Sequence, residues 1–194
     1  MRILITCLCV LIVTSSFAPE KKISIQKREA QRAFAYLNSA RANPVKVMRD
    51  LGVRFDVNAV SKRPLRWNKK LARAAENRAK DMARRDYFEH TTPEGIGPNH
   101  FIQQAGYTLN PDWLKKRSAN NFESIAANQQ SAVDGIKAFI RGAGSPGYMH
   151  RKHVLGMDSW NGSLNDIGIG FVRVSSGSRY KTYLCVLIAK HDWK

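Results

Sequence analysis

The sequence predicts an α+β fold, a three-layer α-β-α sandwich with a small, mainly antiparallel sheet held between helices. Three observations carry that expectation. Residues Tyr183 to Ala189 are almost continuously apolar, and a strand of that composition is covered on both faces. Just before it, Ile167, Ile169 and Phe171 alternate with Gly168, Gly170 and Val172, and Ser175-Ser176-Gly177-Ser178 supplies a turn, so the two runs form a hairpin. Ahead of the hairpin, several segments space their apolar residues at helical intervals and can cover the two faces.

The first helix starts near Gln26, with Ala30, Ala33, Phe34 and Leu37 on one side, and Asn43-Pro44 interrupts it. A short helix follows, with Val47, Met48 and Leu51 inward and Gly52 closing it. Arg54 to Pro64 is a loop. The clearest helix runs from Asn68, a capping residue, to Arg85, and its inner stripe is Trp67, Leu71, Ala75 and Met82. Pro98 to Ala105 is a short helix stopped at Gly106, and Tyr107 to Asn120, with Pro111 and many polar residues, is a loop. Phe122 to Ala127 is a short strand. Ser131 caps the next helix, with Asp134 three residues on and Val133, Ile136, Ile140 and Ala143 inward, before a glycine-rich break at 142–147.

A chain of 194 residues suits one domain. Residues 1–18 have the pattern of a secretory leader: Arg2, an apolar run from Ile3 to Val13 too short to span a bilayer, and small residues placing cleavage after Ala18. Residues 19–25 are then a mobile tail, and the mature protein is secreted, periplasmic or in the cell envelope, with no transmembrane segment. Cys7 and Cys9 leave with the leader, so Cys185 is a buried, inert thiol and no internal disulfide forms. Lysine and arginine number 32 against 15 acidic residues, a net +17, which attracts polyanions. In an exported protein these are an anionic glycan, lipid or envelope polymer, and not nucleic acid. Between Arg66 and Arg85 there are eight basic and two acidic residues. Arg66, Lys70, Arg73, Lys80 and Arg84 recur at steps of four, three, seven and four, an exposed line suited to a linear polyanion.

Polar chemistry concentrates at His90, in the loop after the clearest helix, at Glu123 and at His150. Two imidazoles and one carboxylate could hold zinc with an open position. No His-Glu-x-x-His stretch and no Gly-x-Ser-x-Gly elbow is present, and Cys185 lies within a strand, so the familiar metalloprotease and serine or cysteine nucleophile arrangements are absent. Glu123 is a general base only if its cleft raises its pKa. His100 and His191 stand alone, as surface residues.

These residues together resemble the CAP superfamily of cysteine-rich secretory, antigen 5 and pathogenesis-related proteins, in its bacterial SCP-like form. The resemblance spans Gln31 to Ala189 and rests on motifs in order: Leu37-Asn38-x-x-Arg41, Leu65-x-Trp67-x-x-x-Leu71-x-x-x-Ala75, Asp81-Met82-Ala83, Tyr87-Phe88-x-His90-Thr91-x-Pro93-x-Gly95, Ala105-Gly106-Tyr107, Ser145-Pro146-Gly147, His150-Arg151 and Ile167-Gly168-Ile169-Gly170. It implies a CAP domain over residues 26–194, an α-β-α sandwich, and a cavity lined by two histidines and two glutamates. His90 matches the first histidine. Glu123 matches the first glutamate, with Phe122 and Ser124 where the family motif has glycine and asparagine. His150 matches the second histidine, and Tyr148-Met149 is an insertion there, so His153 competes for that place. The second glutamate would fall near Gly142 and is missing.

The resulting expectation is an exported, monomeric binding module working through a His90, Glu123, His150 and His153 cleft and a basic surface. No cofactor is required, though His90 and His150 leave room for a weakly bound divalent metal such as zinc. The alternatives are a metal-dependent hydrolase of envelope polymers and an adhesion protein that uses the basic helix alone.

Overall fold

The computed structural model describes residues 21–142 and 144–192. The expected leader, its cleavage point and Ala143 lie outside the described residues. The sheet contains β1 (Ile23–Ile25), β2 (Arg66–Trp67), β3 (Glu123–Ala127), β4 (Asp166–Val174) and β5 (Thr182–Ala189), in the spatial order β1-β4-β5-β3 with β2 alongside β4. The hairpin is the centre: β4 and β5 pair antiparallel from Asp166 opposite Ala189 to Arg173 opposite Thr182. β3 pairs antiparallel with β5, which sets Glu123 opposite Leu187. β2 pairs parallel with β4.

Helices α1 (Lys27–Ala42), α5 (Ala132–Arg141) and α6 (Met149–Leu155) pack as one layer, and α3 (Lys69–Arg85) with α4 (Pro98–Gln104) forms the other. The short α2 (Pro44–Leu51) and α7 (Ser159–Ser163) flank the first of these. The sequence explains how α3 is seated. Alternate residues of a strand face opposite sides, and β4 offers Gly168 and Gly170 toward α3. A Cβ on Gly168 would lie 2.1 Å from Ala72 N, and one on Gly170 2.3 Å from the Ala75 carbonyl carbon. Helix backbone therefore rests on strand backbone, with Ala72, Ala75 and Ala79 buried between them. Every residue of β5 is buried, as its composition requires.

Several differences from the sequence expectation have physical reasons. Ile23–Ile25 is not a tail: it pairs with Val172 to Val174 along the edge of β4. A three-residue strand carries little periodic signal and is stabilised by its partner. Arg66 and Trp67 likewise pair with Asp166 and Ile167, so Arg66 precedes α3 and is not part of it. The long loop contains a single 3-10 turn at Pro111–Leu114, begun by Asn110, whose side chain accepts from Asp112 N. The motif residues near the N-terminus act as clamps. The Asn38 amide binds both Leu65 O and Leu65 N, and Arg41 Nε donates to Val154 O.

Candidate functional site

α3 ends at Asp86, whose left-handed conformation (φ 59°) turns the chain out of the helix. The loop that follows is folded by its own polar groups. Thr92 Oγ1 accepts from Glu94 N and Ile96 N, and Arg85 bridges to Glu94 at 2.6 Å. It is gripped from beneath by Arg78, which donates to Glu89 O at 2.9 Å and His90 O at 3.2 Å. His90 is thereby presented over β3.

There its Nδ1 lies 2.8 Å from Glu123 Oε2. A carboxylate only accepts, so Nδ1 carries a proton, and in the neutral imidazole Nε2 is then an acceptor. Arg78 Nε donates to Glu123 Oε1 at 2.9 Å, and neither of these side chains is exposed. Burial opposes the guanidinium charge, but the charge and hydrogen bond of Glu123 outweigh it and hold the Arg78 pKa above its ordinary value. The chain of contacts continues outward: Arg78 donates to Tyr87 Oη at 2.7 Å, and Tyr87 Oη donates to Asp81 at 2.5 Å. Burial, then that bond to Asp81, raises the tyrosine pKa.

The second wall comes from α6. Arg151 closes the end of α5, donating to Ile140 O at 2.5 Å and Arg141 O at 2.6 Å, and this anchors the helix that carries both remaining histidines. His150 sits edge-on to Phe139 at 5.0 Å and to His90 at 6.3 Å between ring centres. Burial, and then the neighbouring His90, lower its pKa. His153 lies deeper, its Nδ1 2.7 Å from Ser124 Oγ. Burial and then the charge of Arg41 push it down to about 3, so it is a neutral imidazole hydrogen-bonded to the serine hydroxyl. His90, Glu123, His150 and His153 all border one open cavity of about 270 Å³, completed by Asn120, Asn121, Phe122, Met149, Trp160 and Asn161.

Sequence reasoning did not place Arg78 here. Arg78 is one of the eight basic residues between Arg66 and Arg85 but not of the exposed line, and it is fully buried. Its position, three after Ala75 and four before Met82, lies on the inner stripe, and that spacing was the available signal. Of the basic line, Lys70, Arg73, Lys80 and Arg84 are exposed along α3. Arg73 also donates to Ala105 O at 2.7 Å, and Arg66 approaches Asp166 at 3.3 Å from its strand. His191 and His100 are not alone: His191 Nδ1 is 2.5 Å from Asp166 and His100 Nε2 is 3.2 Å from Lys116 O. Cys185, buried beneath the site, approaches Glu123 Oε1 at 3.5 Å. Burial raises its thiol pKa far above the ordinary value.

The donor set does not fit a metal held by His90, Glu123 and His150. Glu123 is committed to Arg78, and one nitrogen of His90 is committed to Glu123. Among the described residues, no group of three His, Cys, Asp or Glu side chains is placed to hold an ion.

The family model for CAP, the cysteine-rich secretory protein family, matches residues 34–188. The chain belongs to the CAP family. An uncharacterized protein of Bacillus subtilis (strain 168), YkwD, is 26% identical over 114 residues, which is 59% of this chain and 37% of that protein. Two solved structures share the fold. One, an extracellular protein containing an SCP domain from Bacillus anthracis str. Ames, superposes with a TM-score of 0.53 at 21% identity, covering 85% of this chain and 41% of that one. The other, an outer surface protein of Borrelia burgdorferi, gives 0.56 at 13% identity, covering 89% of this chain and all of that one. This CAP domain thus corresponds to well under half of the two Bacillus proteins. No helix among its described residues is long and apolar enough to cross a membrane.

Proposed function

We propose that this CAP-domain protein is an exported binding module of the cell envelope or extracellular space. It holds an anionic glycan, lipid or envelope polymer through the His90–His150 cleft and the basic face of α3. The observation that carries the reading is the convergence of His90, Glu123 and His150 on one open cavity from three distant segments. The His90–Glu123 pair is organised for recognition. Arg78 fixes Glu123, Glu123 holds the proton of His90 on Nδ1, and in the neutral imidazole Nε2 faces a hydroxyl or amide of the ligand as an acceptor. The +17 charge brings a polyanion to the surface, and the cleft selects among those that arrive.

Among the described residues the metal-dependent hydrolase finds no three-ligand donor set, and Glu123, bound on both oxygens, is not available as a general base. The test is salt elution from a heparin column together with titration of soluble anionic oligosaccharides. Lys70→Glu with Arg73→Glu elutes earlier than wild type, whereas His90→Ala elutes with wild type but loses affinity for the short ligand. A wild-type protein that binds no anionic polymer at low salt overturns the reading.

A further inference from the structure

Where the chain leaves β5 it closes a second pocket of about 360 Å³, bordered by Arg63, Arg66, Asn165, His191 and Asp192. None of these residues borders the His90 cavity. The floor is held by backbone. Asn165 O accepts from Arg66 N at 2.8 Å, and Asn165 N donates to Ala189 O at 3.1 Å. Beside it the buried Asp166 gathers three donors: Tyr107 Oη at 2.8 Å, His191 Nδ1 at 2.5 Å and Arg66 Nη2 at 3.3 Å. Burial, then its bond to Asp166, raises the Tyr107 pKa, so the tyrosine stays a neutral donor. Three polar groups at the pocket are left unused by the fold. The Asn165 side chain belongs to a residue only 6% exposed, yet its Oδ1 has no partner and its Nδ2 makes no hydrogen bond among the described residues. Arg63 makes no ion pair among them either. His191 has turned Nδ1 toward Asp166, which leaves Nε2, on the other edge of the ring, without a hydrogen bond among the described residues.

We propose that this pocket binds a phosphate group, free or carried on a small ester. A guanidinium presents paired N–H donors that match phosphate oxygens. Arg63 offers all of its donors, and Arg66 those not turned to Asp166. The Asn165 amide, which is costly to bury without a partner, supplies a further donor from the floor. His191 separates phosphate from other oxyanions. The second phosphate pKa is about 6, so near neutrality the group presents both P–OH and P–O⁻. Nε2 accepts from the first as a neutral imidazole and donates to the second as an imidazolium. Sulfate and carboxylate offer it no donor. Asp192 on the rim opposes any anion, which keeps the affinity modest and provides a variant of opposite sign.

The experiment is calorimetric titration of the full chain with inorganic phosphate, methyl phosphate and sulfate at constant ionic strength. Phosphate is expected to bind more tightly than sulfate. Arg63→Gln weakens it about tenfold, the size of one charge-assisted hydrogen bond. Asp192→Asn tightens it severalfold. Lys181→Gln removes the same charge at the other end of β5 and matches wild type. All three positions are exposed, so the fold is spared. Methyl phosphate binding more tightly than the free ion makes an ester the ligand, and the reverse order makes it inorganic phosphate. Equal weakening by Arg63→Gln and Lys181→Gln would mean that net charge alone attracts the anion, and the site would be overturned. Sulfate binding as tightly as phosphate, or no binding of phosphate by the wild type, overturns it as well.

Discussion

Arg78 and Glu123 form an ion pair at 2.9 Å from which water is excluded on both sides, one partner on a helix and the other on a strand. The pair joins α3 to β3 beneath His90, so the stability of the layers and the shape of the site depend on the same contact. Removing one partner strands the other charge in the core. Arg78→Met or Glu123→Leu alone should cost about 3–5 kcal/mol, and the double replacement should recover much of that loss. Urea denaturation of the three variants checks this; equal losses in all three would show that packing and not charge dominates.

The stability of the protein should fall in mild acid. His153 is held neutral with its pKa pushed down to about 3, whereas the unfolded chain regains the ordinary value of 6.5. Below 6.5 the unfolded state therefore takes up a proton that the folded state refuses. Stability is full above about pH 6.5 and declines toward pH 3, with a slope of about 1.4 kcal/mol per pH unit from this one group. His150, shifted in the same direction, adds to the loss. His153→Gln should flatten the acid limb measured by denaturation midpoints between pH 7 and pH 4, and an unchanged limb would refute the assignment.

Gly168→Ala should be far more damaging than Gly177→Ala. The first places a methyl group 2.1 Å from helix backbone, whereas the second meets nothing within 4 Å and strains only a φ of +65°. The expected costs are about 3 kcal/mol or failure to fold for the first, and about 1 kcal/mol for the second. Thermal melts of the two variants decide it.

Reducing agent should leave the melting temperature unchanged, and Cys185 should not react with a thiol reagent until the protein unfolds. Its sulfur is buried among core residues, and burial keeps the thiol protonated. Rapid labelling of the native protein would contradict that placement.

Zinc at neutral pH should bind at most through the His90 and His150 imidazoles, weaker than about 1 μM, because Glu123 cannot leave Arg78 cheaply. Calorimetry giving nanomolar binding that Glu123→Gln abolishes would show that the pair opens.

The elements with sustained periodicity were legible. The Leu71, Ala75, Met82 stripe and the Ile167, Ile169, Phe171 alternation each repeat often enough to define a face. β1 and β2 were not, because two or three residues establish no period and form only against β4. At the site, His90 and Glu123 could be picked out as residue types in promising loops, but their hydrogen bond spans 33 positions. Arg78 was hidden by its own chemistry. An arginine among seven other basic residues looks solvated unless its place on the stripe is given more weight than its charge. The His191–Asp166 contact, with Tyr107 donating to the same carboxylate at 2.8 Å, depends on the hairpin returning the chain end beside β2, which no local pattern announces.

The seating of α3 on the glycines of β4 has a consequence for how this protein can diverge. The inner side of the helix is closed to change: its alanines touch strand backbone and its one arginine is paired in the core. The outer side, with Lys70, Lys80 and Arg84, contributes little to that packing. Selection can therefore rewrite the charge of the outer surface, and with it the range of polymers attracted, without disturbing the cleft. Adaptation of the two features can proceed at independent rates on opposite sides of a single helix.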